Sequence, residues 1–184
     1  MKKIIAFFLA GMFALALAAC NGDTPTTTGG DPTQPPTQSI PGSGGTPTQN
    51  EIYFAPNGVR LEIGALPAPA LESLGEPVDT FESQSCAMNA KDVNYRYDGF
   101  VLTVTYPEQG EDYISSIKLT GDKYTIPGGI TIGSAPDAAF AAYGTADRED
   151  GSFYYFARGI CILNIKIEND KVSQIIFEYD WDNA

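Results

Sequence analysis

Ile63-Gly64-Ala65-Leu66-Pro67-Ala68-Pro69-Ala70-Leu71-Glu72-Ser73-Leu74-Gly75 recurs, 69 residues later and without gaps, as Ile132-Gly133-Ser134-Ala135-Pro136-Asp137-Ala138-Ala139-Phe140-Ala141-Ala142-Tyr143-Gly144. Five of the 13 positions are identical, where ordinary composition gives about one by chance. Leu71 with Phe140 and Leu74 with Tyr143 match in character. In each copy an apolar pair, Leu61 and Ile63 or Ile130 and Ile132, leads into glycine. Proline then falls in the first turn of a short helix, where its missing N–H does no harm. Gly75 and Gly144 are expected to close the helices as left-handed caps. Ser134 and Asp137 have capping-box spacing. The first copy lacks that cap and carries Pro67 and Pro69, so its helix is expected to be the shorter. Apolar residues at i and i+3 give each helix a narrow buried stripe.

Strands follow each helix. Val93, Tyr95 and Tyr97 alternate with polar residues, Asp98-Gly99 is a type I′ hairpin signal, and Phe100, Leu102, Val104 and Tyr106 alternate onward. A two-residue turn sets Tyr97 opposite Phe100, so the large residues of both strands share one face. Ile114, Ile117 and Leu119 mark a third strand. The second copy repeats this with Phe153–Phe156, then Cys161, Leu163, Ile165 and Ile167, then Val172, Ile175, Phe177 and Tyr179 after the Asn169-Asp170 turn. The register around Arg158-Gly159 stays open. Ile114-Ser115-Ser116-Ile117 aligns with Val172-Ser173-Gln174-Ile175 at offset 58, so the first copy has the longer loops, chiefly 76–92 and 107–112. Units of about 55–65 residues are marginal alone. The expectation is an α+β fold: two tandem helix–three-strand repeats, about 58–120 and 127–179, forming one antiparallel sheet with both helices on one face.

Upstream, Lys2 and Lys3 precede an apolar run from Ile4 to Ala19. This is short for a membrane span, which needs about 20 residues, and reads as a signal-peptide core. The run ends in Leu17-Ala18-Ala19-Cys20, which resembles the lipobox of bacterial lipoproteins. The resemblance implies cleavage after residue 19, lipidation of Cys20, and a location on the extracellular face of the cell membrane. Two acyl chains suffice for stable anchoring. In residues 21–50, Thr, Pro and Gly fill 20 of 30 positions, with Ile40 the only aliphatic. That composition cannot bury enough apolar surface to offset ordering entropy, so 20–50 reads as a lipidated cysteine and disordered tether. Its root-mean-square reach is about 30 Å. Residues 51–184 form the folded domain.

The apolar-x-Ile-Gly entry to each helix, Leu74-Gly75 or Tyr143-Gly144 at its end, and Val172-x-x-Ile175 in the last strand resemble tandem β-lactamase-inhibitor-protein-like repeats. They are similar also to small outer-membrane lipoprotein domains of the SmpA/OmlA type. Ser85-Cys86-Ala87, Tyr95-x-Tyr97-x-Gly99-Phe100, Thr105-Tyr106-Pro107, Asp112-Tyr113-Ile114-Ser115-Ser116-Ile117 and Pro127-Gly128-Gly129-Ile130 resemble uncharacterised lipoproteins of Gram-positive bacteria. The resemblance spans nearly all of 51–184. It implies a non-enzymatic extracellular fold whose open sheet face contacts proteins; it carries over no partner-binding residue and does not imply β-lactamase inhibition.

The chain of 184 residues has no histidine, 11 basic and 23 acidic residues, and a net charge of −12. Serine or cysteine triads using histidine and histidine-ligated metal sites are excluded, and nucleic-acid binding is disfavoured. Cleavage removes Lys2 and Lys3, two positive charges, and takes the mature chain from −12 to −14. Asp147-Arg148-Glu149-Asp150-Gly151 lacks EF-hand spacing and reads as a solvated turn; no metal, cofactor or catalytic residue is assigned. Cys86 and Cys161 form an even pair in an exported domain and are expected as a disulfide. Strand alternation puts Val101, Thr103, Thr105, Ile162, Asn164, Lys166 and Ile176 on the outward sheet face as the candidate binding face. The expected partner is a protein, basic or neutral in charge. Cell-wall glycan binding through aromatics, or a purely structural envelope role, are the alternatives.

Overall fold

The computed structural model describes residues 52–85 and 89–183, all within the unit Ser43–Ala184. The leader, Cys20, the whole tether and Cys86 lie outside the described residues. Among the described residues no helix is long and apolar enough to cross a membrane.

Two helices, α1 (Pro67–Leu74) and α2 (Pro136–Tyr143), accompany eight strands: β1 (Asp79–Gln84), β2 (Ala90–Tyr97), β3 (Phe100–Pro107), β4 (Tyr113–Leu119), β5 (Arg148–Asp150), β6 (Phe153–Arg158), β7 (Cys161–Glu168) and β8 (Lys171–Tyr179). They make one sheet, ordered β1-β2-β3-β4-β8-β7-β6-β5, with every pairing antiparallel. The fold is α+β. Four strands follow each helix where the sequence suggests three. The additional ones, β1 and β5, are the two edges. Neither shows a hydrophobic alternation because neither contributes a buried residue.

The repeated glycines sit in matching hydrogen bonds. Gly64 donates to Ile114 O (2.8 Å) and Ile114 donates back to Ala65 O (3.0 Å). Gly133 donates to Val172 O (2.7 Å) and Val172 to Ser134 O (2.9 Å). Thus the segment before each helix is sewn to the start of the last strand of its own half. Both helices are eight residues long, so Pro67 and Pro69 do not shorten α1. Both start at proline after an extended residue, a geometry the ring pre-sets. Ser134 is not a cap: its Oγ accepts from Thr131 N at 3.0 Å, and no side chain caps α2. Gly75 (φ 74, ψ −161) and Gly144 (φ 84, ψ −153) end the helices in a region essentially reserved for glycine, extended rather than left-handed helical.

One face of the sheet makes the core. Phe100, Leu102 and Val104 of β3, Ile117 and Leu119 of β4, Leu163 and Ile165 of β7, and Ile175 and Phe177 of β8 are all buried in a single cluster with Ala70 of α1 and Ala139 and Tyr143 of α2. Helices this short are marginal in isolation, so packing holds them. Tyr97 does pair with Phe100, and their rings stack at 5.0 Å. The open register at Arg158-Gly159 resolves as Arg158↔Cys161 around a Gly159-Ile160 turn. At the centre, Phe54 lies between halves, its ring 5.1 Å from Phe100 and 6.2 Å from Phe177.

Candidate functional site

The sheet's second face alternates with the core residues, and the register fixes which side chains share it, since directly opposed residues point the same way. One row across the strands reads Phe81, Asn94, Thr103, Ser116, Glu178, Ile162. The next reads Arg96, Val101, Lys118, Ile176, Asn164, Tyr155. Lys166 and Thr105 lie on rows to either side. All seven residues chosen from the sequence therefore fall on this face. Thr105 and Asn164 are buried even there, at 2 % and 6 % exposure. Thr105 donates to Asp92 Oδ1 at 2.6 Å. Asn164 Nδ2 donates to Glu178 Oε2 at 3.4 Å, while its Oδ1 is buried without a partner. Leaving such an acceptor unpaired costs about 1–3 kcal/mol.

Aromatic groups missed by the sequence reading add to this surface. Phe81 is 65 % exposed on edge strand β1. The Phe153 and Tyr155 rings lie 6.4 Å apart, inclined at 30°, with Lys166 Nζ over the Phe153 ring and the Arg148 guanidinium 3.9 Å from the Tyr155 centroid. Arg148 and its neighbours thus belong to a strand; Asp147 Oδ2 accepts from Ala157 N at 2.8 Å, so that acidic run is structural. The bases of the face stand among acids, Arg96 meeting Asp79 at 3.1 Å and Lys166 meeting Glu168 at 2.8 Å, while toward the other end Asp92 and Glu178 have no described lysine or arginine beside them in the hollow they line.

The acidic end closes into a hollow of about 520 Å³. Ser83 of β1 and Ile162 of β7 both line it, although five strand spacings separate those strands, about 24 Å in a flat sheet. The sheet must therefore curl, helped by irregularities at Thr103/Val104 and Lys166/Ile167, since bulges bend and twist a strand. Trp181 forms one wall, 49 % exposed. It packs on Tyr179 at 4.8 Å and Tyr113 at 6.2 Å. The turn bearing it is ordered by buried Asp180, which accepts from Asp182 N (3.1 Å) and Asn183 Nδ2 (2.7 Å). Burial pushes the Tyr113 hydroxyl up, against a lowering hydrogen bond from Thr105.

Comparison with protein-family models, with curated proteins and with solved structures finds no match. Every role assigned to this face consequently rests on its own chemistry.

Cys161 opens β7 on the core side, buried, as a free thiol. Burial, and secondarily the Glu178 carboxylate, push its pKa up to about 12. Its expected pairing with Cys86 lies outside the described residues. No group of three or more histidine, cysteine or acidic residues suited to a metal occurs among the described residues. Signals for the hollow were present in part: Glu178 alternates with Phe177, and Asp92 with Val93. The curl that joins them to Trp181 is not legible in any one strand.

Proposed function

We propose that this chain is a lipoprotein of the extracellular membrane face, anchored through Cys20 and held off the bilayer by residues 21–50. Its folded part is a pair of tandem repeats of the β-lactamase-inhibitor-protein-like kind, acting as a non-enzymatic binding module for a protein partner. The observation that carries this reading is the second sheet face. Val101, Ile162 and Ile176, with Phe81 and Tyr155, stand there among short polar groups, and no helix of the described residues packs on them. Mixed apolar and polar composition with aromatics is what protein interfaces use; Phe81 is exposed there and Val101, Tyr155, Ile162 and Ile176 are half-buried. The lipobox-like Leu17-Ala18-Ala19-Cys20 supports the anchor.

A photo-crosslinking amino acid at Val101 or Ile176, in the native host, is expected to trap one recurrent partner, while the same group at Glu72 on α1 does not. Ile176→Glu is expected to lower capture at least about tenfold without unfolding the chain. Equal trapping from Glu72 overturns the assignment of the face.

A further inference from the structure

We infer that edge strand β1 is a self-pairing surface: it takes the β1 of a second copy of this chain, antiparallel, about a two-fold axis at Phe81. The pairing lies on the edge of the sheet and holds whatever the open face binds.

The two edges of the sheet are unlike. β5 has three residues, all charged and exposed. β1 has six, Asp79–Gln84, and among the described residues its one neighbouring strand is β2. Five of the six are exposed, Phe81 among them. Its carboxylates do not stand guard as edge charges commonly do. Each is drawn back onto a base of β2, Asp79 to Arg96 at 3.1 Å and Glu82 to Lys91 at 3.2 Å. The edge is thus locally balanced, although residues 51–184 hold 21 acids and 9 bases. Repulsion between two such bodies is screened beyond about 8 Å at physiological salt.

The phase of the ladder decides which backbone groups β1 offers. Ser85 N–H donates to Ala90 O at 2.9 Å, in register with the β1–β2 pairing. Antiparallel ladders alternate, so Ser83, Phe81 and Asp79 also bond inward, and the N–H and C=O groups of Thr80, Glu82 and Gln84 point outward. The Thr80 N–H rests on Asp79 Oδ1 at 3.0 Å and exchanges that acceptor on pairing.

A second β1 answers this row residue by residue. Centred on Phe81, the pairing sets Thr80 against Glu82 of the second copy and Asp79 against its Ser83, and the reverse. Thr80 and Glu82 exchange backbone bonds twice, and each carboxylate meets a hydroxyl. The two Phe81 side chains meet at a non-hydrogen-bonded position, where side chains lie closest and Cα atoms are about 4.5 Å apart. Cross-strand aromatic pairs stabilise a sheet, and like charges directly opposed destabilise it. Moving the centre to Glu82 sets that carboxylate against itself, and moving it to Thr80 sets Phe81 against Asp79. A centre between two residues would oppose side chains of different faces. The axis is perpendicular to the sheet, so the open faces of the two copies continue on one side.

Glu82→Pro tests the backbone directly. The Glu82 N–H points away from β2, so proline there leaves the β1–β2 ladder whole and removes two bonds of the paired edges, one from each copy. The full chain in detergent, with micelles in large excess over chains, is expected to sediment as a monomer–dimer equilibrium. Glu82→Pro is expected to weaken that equilibrium about tenfold or more. Glu82→Gln, which drops the ion pair with Lys91 and keeps the N–H, is expected to match the parent. Phe81→Lys replaces Glu82→Pro if the latter loses the parent's circular dichroism. In the native host, mild oxidation of Phe81→Cys is expected to give a disulfide-linked dimer of this chain beyond any formed by the parent, since directly opposed positions lie within disulfide reach. Glu149→Cys on β5 is expected to give none. A monomer at every concentration, undiminished dimerisation of Glu82→Pro, the same loss in Glu82→Gln, equal linking from Glu149→Cys, or linking of Phe81→Cys to a different protein alone overturns the pairing.

Discussion

Cys161 illustrates how much a single residue's meaning depends on its surroundings. Read from sequence, it is half of an even cysteine pair in an exported domain. In the fold it is a buried thiol whose pKa is pushed up to about 12 by burial first and Glu178 second. Thiolate is the reactive form, so native protein at pH 8 is expected to resist iodoacetamide at Cys161, and protein unfolded in urea without reductant to take the label. Label gained only after reduction would instead place Cys161 in the disulfide with Cys86. The same shift has a stability consequence of definite sign. The folded pKa lies above the unfolded value, taken as 9.0, so the folded state holds its proton more tightly. That contribution is complete below about pH 9 and is lost as pH rises toward 12. Urea midpoints are expected to fall between pH 8.5 and about 10.5, and less steeply in Cys161→Val. Raised tyrosines, Tyr143 and Tyr106 foremost, contribute to the same alkaline loss through burial.

At the scale of elements, the turn after Ile126 decides where α2 sits. Ile126 and Ile130 bridge, Gly128 has φ +88, and a Cβ built there would lie 2.5 Å from the Cβ of Ala142 in α2. A methyl carbon cannot rotate away. The hydroxyl of Tyr143, one residue on, donates to Pro127 O. Gly128→Ala is expected to cost more than about 2 kcal/mol, positive φ alone accounting for about 1–2. Gly58→Ala, with φ +84 and nothing within 4 Å, is expected to incur the backbone term alone. Chemical denaturation of the two variants checks the difference; equal losses would remove the packing argument. Elements with a buried stripe, β2–β4 and β6–β8, were legible because burial imposes a period of two on composition. The edges β1 and β5 were not. With one neighbour and little burial, Asp-Thr-Phe-Glu-Ser-Gln and Arg-Glu-Asp obey no such period. The two edges differ, too: β5 is short and wholly charged, a common protection for an edge, whereas β1 presents Phe81 to solvent, and Val78 just before it is exposed as well.

For the whole molecule the decisive contact is the seam. β4 pairs with β8 through Ser116↔Glu178, Ile117↔Phe177 and Lys118↔Ile176, and Phe54 from the start of the domain covers Phe100 and Phe177 together. Neither half owns a closed core. Residues 127–183 alone are expected to show no cooperative thermal transition by circular dichroism, since Phe177 and Ile117 lose their covers and so small a unit has little core left. A sharp transition in that fragment would contradict the shared core. The recurrence of Ile63–Gly75 as Ile132–Gly144, the hairpin at Asp98-Gly99 and the two sheet faces follow from sequence, because local chirality, turn chemistry and alternation act between near neighbours. The order in which the halves join, the curl of the sheet, and the meeting of Asp92, Glu178 and Trp181 in one hollow come only with tertiary structure. They depend on residues far apart in the chain, whose proximity is set by the shared core rather than by any local preference.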